Sequence, residues 1–109
     1  MHMLFNQFDD WIACADLGLD AARRTGDRPA QAELLESLGM AHAQRHELAL
    51  SAGYHQSALE LRRALGDATA EALSLNDLGL LNLRMHRLDT ALEMFDRART
   101  VLDGTGGTV

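Results

Sequence analysis

Residues 26–65 read GDRPAQAELLESLGMAHAQRHELALSAGYHQSALELRRAL, and residues 66–105 read GDATAEALSLNDLGLLNLRMHRLDTALEMFDRARTVLDGT. Laid over one another at a shift of forty residues, the two stretches align without a gap. Gly26-Asp27 falls on Gly66-Asp67, Ala32 on Ala72, Leu35 on Leu75, and Leu38-Gly39 on Leu78-Gly79. His46 falls on His86, Leu48 on Leu88 and Ala58 on Ala98. The same shift carries Leu19 and Arg23 onto Leu59 and Arg63, so the phase extends upstream of both stretches. Repetition at this period marks a chain built from stacked supersecondary units rather than around one central core.

Each unit reads as two helices. Gly26 and Gly66 suit the left-handed residue that closes a helix. Asp27 and Asp67 then suit the N-cap of the next, where a carboxylate meets free N–H groups and the helix dipole. Pro29 falls in a first turn, where its missing N–H costs nothing. His46 and His86 stand at the turn inside each unit, and His is one of the few non-glycine types found at positive φ. Helices are therefore expected near 7–24, 28–45, 48–64, 68–85 and 88–103. In the last of these, Leu88, Ala91, Leu92, Phe95, Ala98 and Leu102 form an apolar stripe at helical spacing. The third helix has a more polar version, with Ser51, Ala52, His55, Ala58, Leu59 and Arg62.

Composition agrees with an all-α fold. Leu and Ala fill about a third of the 109 residues, while Ile occurs once and Val twice. Strands draw on β-branched residues that this chain lacks. All ten basic residues are Arg, against sixteen Asp and Glu, for a net charge of −6. A net acidic chain with no basic cluster is a poor match to nucleic acid, whose phosphates must be neutralised on binding. One cysteine excludes an internal disulfide and a Cys-based zinc site. No apolar run is long enough to cross a bilayer and no signal sequence is evident, so no membrane partner and a cytoplasmic location are expected.

The residues resemble the tetratricopeptide repeat family. Its pattern of Leu-Gly in one helix, followed by Ala, Phe and Ala in the next, is met by Leu78-Gly79, Ala91, Phe95 and Ala98. The earlier unit meets it in part, with Leu38-Gly39, Ser51, His55 and Ala58. The period is longer than the family's usual one, near 34 residues. The resemblance implies a right-handed α-solenoid of antiparallel helix hairpins, about two and a half repeats. It divides the chain into a half repeat at 1–25, full repeats at 26–65 and 66–103, and a flexible Gly-rich tail at 104–109. The forty-residue form is similar to repeats in bacterial multidomain regulators, of which this would be a part.

The resemblance also implies a non-catalytic scaffold for protein–protein interaction. By the family pattern the groove is lined by Glu33, Glu36, Ser37, Met40 and Gln44, then by Leu73, Asn76, Asp77, Leu80, Leu83 and Arg84. Family members that grip a C-terminal carboxylate use Lys, Arg and Asn. Here Lys is absent and Glu33, Glu36 and Asp77 repel a carboxylate, so an apolar or basic partner is expected. The terminal helices carry apolar residues beyond what one buried face needs. Phe5, Phe8, Trp11 and Ile12 at one end, with Leu92, Met94 and Val101 at the other, suggest self-association into a homodimer or higher oligomer.

No catalytic, metal or cofactor site is expected. His42 and His46 are four apart, but the helix lacks the internal Glu of a metalloprotease motif. His42 instead falls where the family has an aromatic, and His55 is expected half-buried beside Tyr54. Cys14, between two alanines, is expected as a small buried thiol. Arg23-Arg24 and Arg62-Arg63 sit near helix C-termini, where solvated positive charge suits the dipole. Gly53, inside a helix, suggests a close helix contact.

Overall fold

A computed structural model describes residues 7–104. It contains five helices: α1 (Gln7–Thr25), α2 (Arg28–Gln44), α3 (Leu48–Leu65), α4 (Ala68–Arg84) and α5 (Leu88–Asp103). No strand occurs among the described residues. Phe5 lies outside them.

The punctuation read from the sequence sets the four turns between the helices. Asp27 and Asp67 cap α2 and α4, their Oδ1 atoms accepting from the amides of Ala30 and Ala70 at 3.1 Å. Gly26 and Gly66 stand at φ 71° and 74°, His46 and His86 at 64° and 61°. All four turns share one hydrogen-bonding scheme. Where His46 closes α2, its amide donates to Ala43 O and the Glu47 amide to His42 O, both at 2.9 Å. The His86, Gly26 and Gly66 turns repeat that pair of bonds. It satisfies the last carbonyls of a helix and reverses the chain within three residues.

Neighbouring helices pack as antiparallel hairpins, α2 with α3 and α4 with α5, and α1 lies against α2 and α3 against α4. Close approach within each hairpin depends on glycine. A Cβ on Gly39 would stand 2.6 Å from the His55 ring, and one on Gly79 only 2.5 Å from the Phe95 ring. The buried residues fall into two clusters. Ala15 and Leu19 of α1 join Leu35 and Leu38 of α2 and Ala58 of α3. Leu59 of α3 joins Ala72, Leu75 and Leu78 of α4 and Ala98 of α5. Leu59 is fully buried, which stabilises the fold by about 2 kcal/mol relative to an exposed leucine.

Three expectations need correcting. Cys14 is exposed. The equivalent position in α3 is Tyr54, which gains its cover from His42 of α2, with ring centroids 5.2 Å apart. Gly53 has nothing within 4 Å of a built Cβ, so no close contact accounts for it. Arg62 is not solvated: its side chain is only 8% exposed.

The terminal helices carry apolar residues both in the core and on the surface, where Leu17, Leu88, Leu92 and Leu102 are exposed. Leu19 and Leu59 are buried, but the third member of that series is Arg99, exposed and paired with Asp96 at 2.6 Å. Trp11, Ile12, Met94 and Val101 are half-buried against the two core clusters. Phe8 is half-buried as well. Of the described residues expected to drive self-association, Leu92 alone is exposed, at 55%.

Candidate functional site

The face shared by α2 and α4 holds the residues that the repeat pattern assigns to a groove. Glu33, Met40, Gln44, Leu73, Asn76, Leu80, Leu83 and Arg84 are exposed, while Glu36, Ser37 and Asp77 are half-buried. The structure divides them into three places. Met40, Gln44, Asp77, Leu80 and Arg84 line one cleft of about 170 Å³, together with Ala43, Leu81 and His55. Glu33 faces a larger hollow near the helix starts, with Pro29, Arg62 and Asp67. Leu73 and Asn76 turn toward α5, beside Ala98 and Leu102. Ser37 is engaged within the chain, accepting from Trp11 Nε1 at 2.7 Å.

Beneath the α2–α4 face lies a polar cluster that joins three helices. Arg62 of α3 donates to Glu36 Oε1 of α2 at 2.8 Å and to Ser74 Oγ of α4 at 2.9 Å. Asp77 of α4 sits beside them with a third of its side chain exposed. Its carboxyl is pushed up to about 6 by burial first, then by the charge of Glu36 and a hydrogen bond with it, against the pull of Arg62. Two carboxylates and one guanidinium share the site, so one negative charge remains uncompensated when all are ionised.

His55 completes the cluster from α3. Its side chain is 4% exposed, and Nδ1 lies 3.8 Å from Asp77 Oδ2. That is too long for a hydrogen bond, and Nδ1 has no partner. Burial lowers the His55 pKa most, with Glu36 opposing and Arg62 assisting. The ring is therefore neutral near pH 7, and its Nδ1 is an unmet polar atom in a buried place. Such an atom carries a desolvation cost unless something binds it.

The other described histidines, His42, His46 and His86, have structural roles. His42 is buried and stacks on Tyr54, with Nδ1 2.7 Å from Glu47 Oε1. That bond is the main reason the Glu47 carboxyl lies below its ordinary range. Tyr54 thus pairs with His42 rather than lying beside a half-buried His55. His46 and His86 close turns. Among the described residues, no group of three or more His, Cys, Asp or Glu is placed to hold a metal ion. Nor is any helix there long and apolar enough to cross a membrane.

Helical spacing puts Glu36 and Asp77 on this face, but it does not reveal Arg62, Ser74 or the depth of His55. One signal for them existed. Arg62 and His55 occupy stripe positions that Leu102 and Phe95 hold one repeat later, so polar side chains there had to be buried or the stripe broken.

The fold is that of a short helical-hairpin repeat array, the class of protein that presents extended surfaces to partners. A tetratricopeptide repeat family model matches residues 31–103, and the chain belongs to that family. Its members are in general scaffolds for protein–protein interaction and not catalysts. No curated protein and no solved structure matches the chain.

Proposed function

We propose that the chain is a non-catalytic docking module that takes a peptide or partner protein along the α2–α4 face. One observation carries this. Met40, Leu80 and Leu83 remain 48%, 49% and 41% exposed on helices whose other faces are packed. Apolar side chains grouped on one face, with Asp77 beside them and Glu33 farther along α2, favour an apolar or basic partner over nucleic acid or a terminal carboxylate. The long repeat, similar to that of bacterial multidomain regulators, supports a place within a larger bacterial regulatory protein. The test is selection of binders from a displayed peptide library. Selected peptides should lose at least tenfold in affinity for the Leu80→Glu, Leu83→Glu double variant. Unchanged affinity would place the docking surface elsewhere.

A second reading rests on α5, where Leu88 and Leu92 are 57% and 55% exposed. That surface suits a second copy of the chain. Light scattering across the micromolar range separates the two: growth of mass with concentration supports self-association, and a constant monomer mass rejects it.

A further inference from the structure

We propose that the outer edge of α4 and α5 is a docking site for an amphipathic helix of a partner protein, with an apolar face and one basic edge, seated there as α4 is seated on α3. The inference stands apart from the α2–α4 groove. On grounds of charge it assigns the α5 surface to a partner helix ahead of a second copy.

The repeat supplies the geometry. His55, Leu59 and Arg62 of α3 are buried. α4 provides part of that cover: Leu59 packs with its Ala72, Leu75 and Leu78, Arg62 donates to its Ser74, and His55 lies beside its Asp77. Forty residues on, the same face of α5 runs Leu88, Leu92, Phe95, Arg99 and Leu102, in steps of four and three. That spacing lays one continuous stripe along a helix. Leu88, Leu92, Arg99 and Leu102 are exposed.

The hollow beside the stripe repeats as well. Pro29, Ala32, Glu33 and Arg62 line one of about 310 Å³, which Asp67 and Ala70 at the start of α4 also line. Their counterparts Thr69, Ala72, Leu73 and Leu102 line another of about 230 Å³, with Asn76 and Ala98. Glu33 and Arg62 have become Leu73 and Leu102, so an occupant here needs an apolar residue where α4 offers Ser74. α2 has Leu34 at that position, set against Gly18 of α1.

Apolar contact alone suits a partner helix or a second copy, and charge separates them. At the edge of the α3–α4 joint, Arg63 meets Glu71 of α4 at 3.1 Å. The α5 residue in place of Arg63 is Asp103, and those in place of Ala49 and Gln56 are Asp89 and Asp96. Positions two turns apart share one side of a helix, so the three aspartates form a row beside the stripe. Arg99 pairs with Asp96 at 2.6 Å, which leaves the row net negative. Two α5 helices paired antiparallel about a two-fold axis would set row against row, and like charges repel. A helix with Lys or Arg where α4 carries Glu71 would instead meet Asp103.

The test is an NMR titration of the whole labelled chain with a peptide of residues 67–84 that bears Ser74→Leu, Asp77→Ser and Glu71→Lys. The first two changes copy Leu34 and Ser37 of α2, and the third reverses the edge charge. Saturable shifts are expected at Leu73, Leu92, Arg99 and Leu102. The same peptide with Glu71 retained should bind about fivefold more weakly at low ionic strength, the worth of reversing one edge ion pair. Asp103→Arg in the chain should invert that preference, and since Asp103 is exposed at the end of α5 the change leaves the core untouched. Leu92→Glu should abolish the shifts. Equal binding of both peptides, a preference indifferent to Asp103→Arg, shifts elsewhere, or no saturable shift would each overturn the proposal. So would light scattering that shows the chain pairing with itself and losing that pairing with Leu92→Glu, because a second copy would then hold the edge.

Discussion

The joint between α1 and α2 and the joint between α3 and α4 are equivalent by the forty-residue repeat, yet they are held by different forces. At the first, Ala15 and Leu19 pack on Leu35 and Leu38, and Trp11 spans the edge with one hydrogen bond to Ser37. An exposed ion pair, Asp9 with Arg45 at 2.7 Å, adds little. At the second, Leu59 packs on α4, but a buried guanidinium and two carboxyls occupy the edge. The apolar joint is tolerant, because each contact is small and none depends on another. The polar joint is conditional, because each charge is stable only while its neighbours stand. A repeat array thus has one uniform backbone and unequal seams.

The sharpest way to break the comparison is Arg62→Leu, which copies the residue of the next repeat. It leaves Glu36 and Asp77 facing each other with no cation, and should cost about 3 kcal/mol in thermal or denaturant unfolding. Adding Glu36→Gln should recover most of that loss. A full cost in the double variant would mean that the guanidinium acts by packing alone. At the apolar joint, Trp11→Ala removes a half-buried ring and should cost about 2 kcal/mol, with no dependence on salt or pH.

The polar joint should also respond to pH where the apolar one does not. Asp77 ordinarily titrates near 3.8 and here near 6, so the folded state favours its protonated form. Its contribution to stability is full below about pH 4 and is lost as the pH rises through 6. Asp77→Asn should then be the more stable protein at pH 7.5 by about 1 kcal/mol, short of the full shift because a third of the carboxyl faces solvent, and the two should converge near pH 4. His55 has the opposite sign. Its lowered pKa gives stability that is present above pH 6.5 and is lost as the pH falls through its folded value. His55→Phe should remove that acid-side loss and relieve the unmet Nδ1, for a gain of about 1 kcal/mol at pH 7. Urea unfolding at several pH values checks both slopes.

The smallest effect expected is a control placed away from either edge. Gly53 is exposed within α3 and faces open space. Gly53→Ala should stabilise the chain by about 0.5–1 kcal/mol through helix propensity and leave the two joints unchanged relative to each other. A loss of stability would reveal a contact at this position that the monomer does not make.

The helices and turns were legible because their signals are local. Asp27 and Asp67 reach an amide three residues away, and Gly26, Gly66, His46 and His86 each set one backbone angle. The closeness of α2 to α3 and of α4 to α5 was legible from Gly39 and Gly79, since small residues in phase with a large one imply a contact. The candidate site was legible by face and not by depth. Glu36 and Asp77 fell on the groove side by helical spacing alone. Arg62 was read as a solvated charge near a helix end, because nothing adjacent in sequence reveals that Glu36 lies twenty-six residues before it and Ser74 twelve after, both within bonding reach. Cys14 was misjudged for the same reason in reverse: its neighbours in sequence are small and apolar, but burial is decided by what covers a helix from outside.

The amino-acid sequence by itself determined the helical class, the four turns between five helices and the forty-residue unit, because capping, left-handed closure and apolar periodicity act within one or two turns of chain. Only the tertiary structure decided which polar residues are brought together. Burial and charge pairing depend on distances between helices, and stacking sets those distances. The inter-repeat seam of Arg62, Glu36, Ser74, Asp77 and His55 exists because α3 is held against both α2 and α4, and no single helix of the chain contains it.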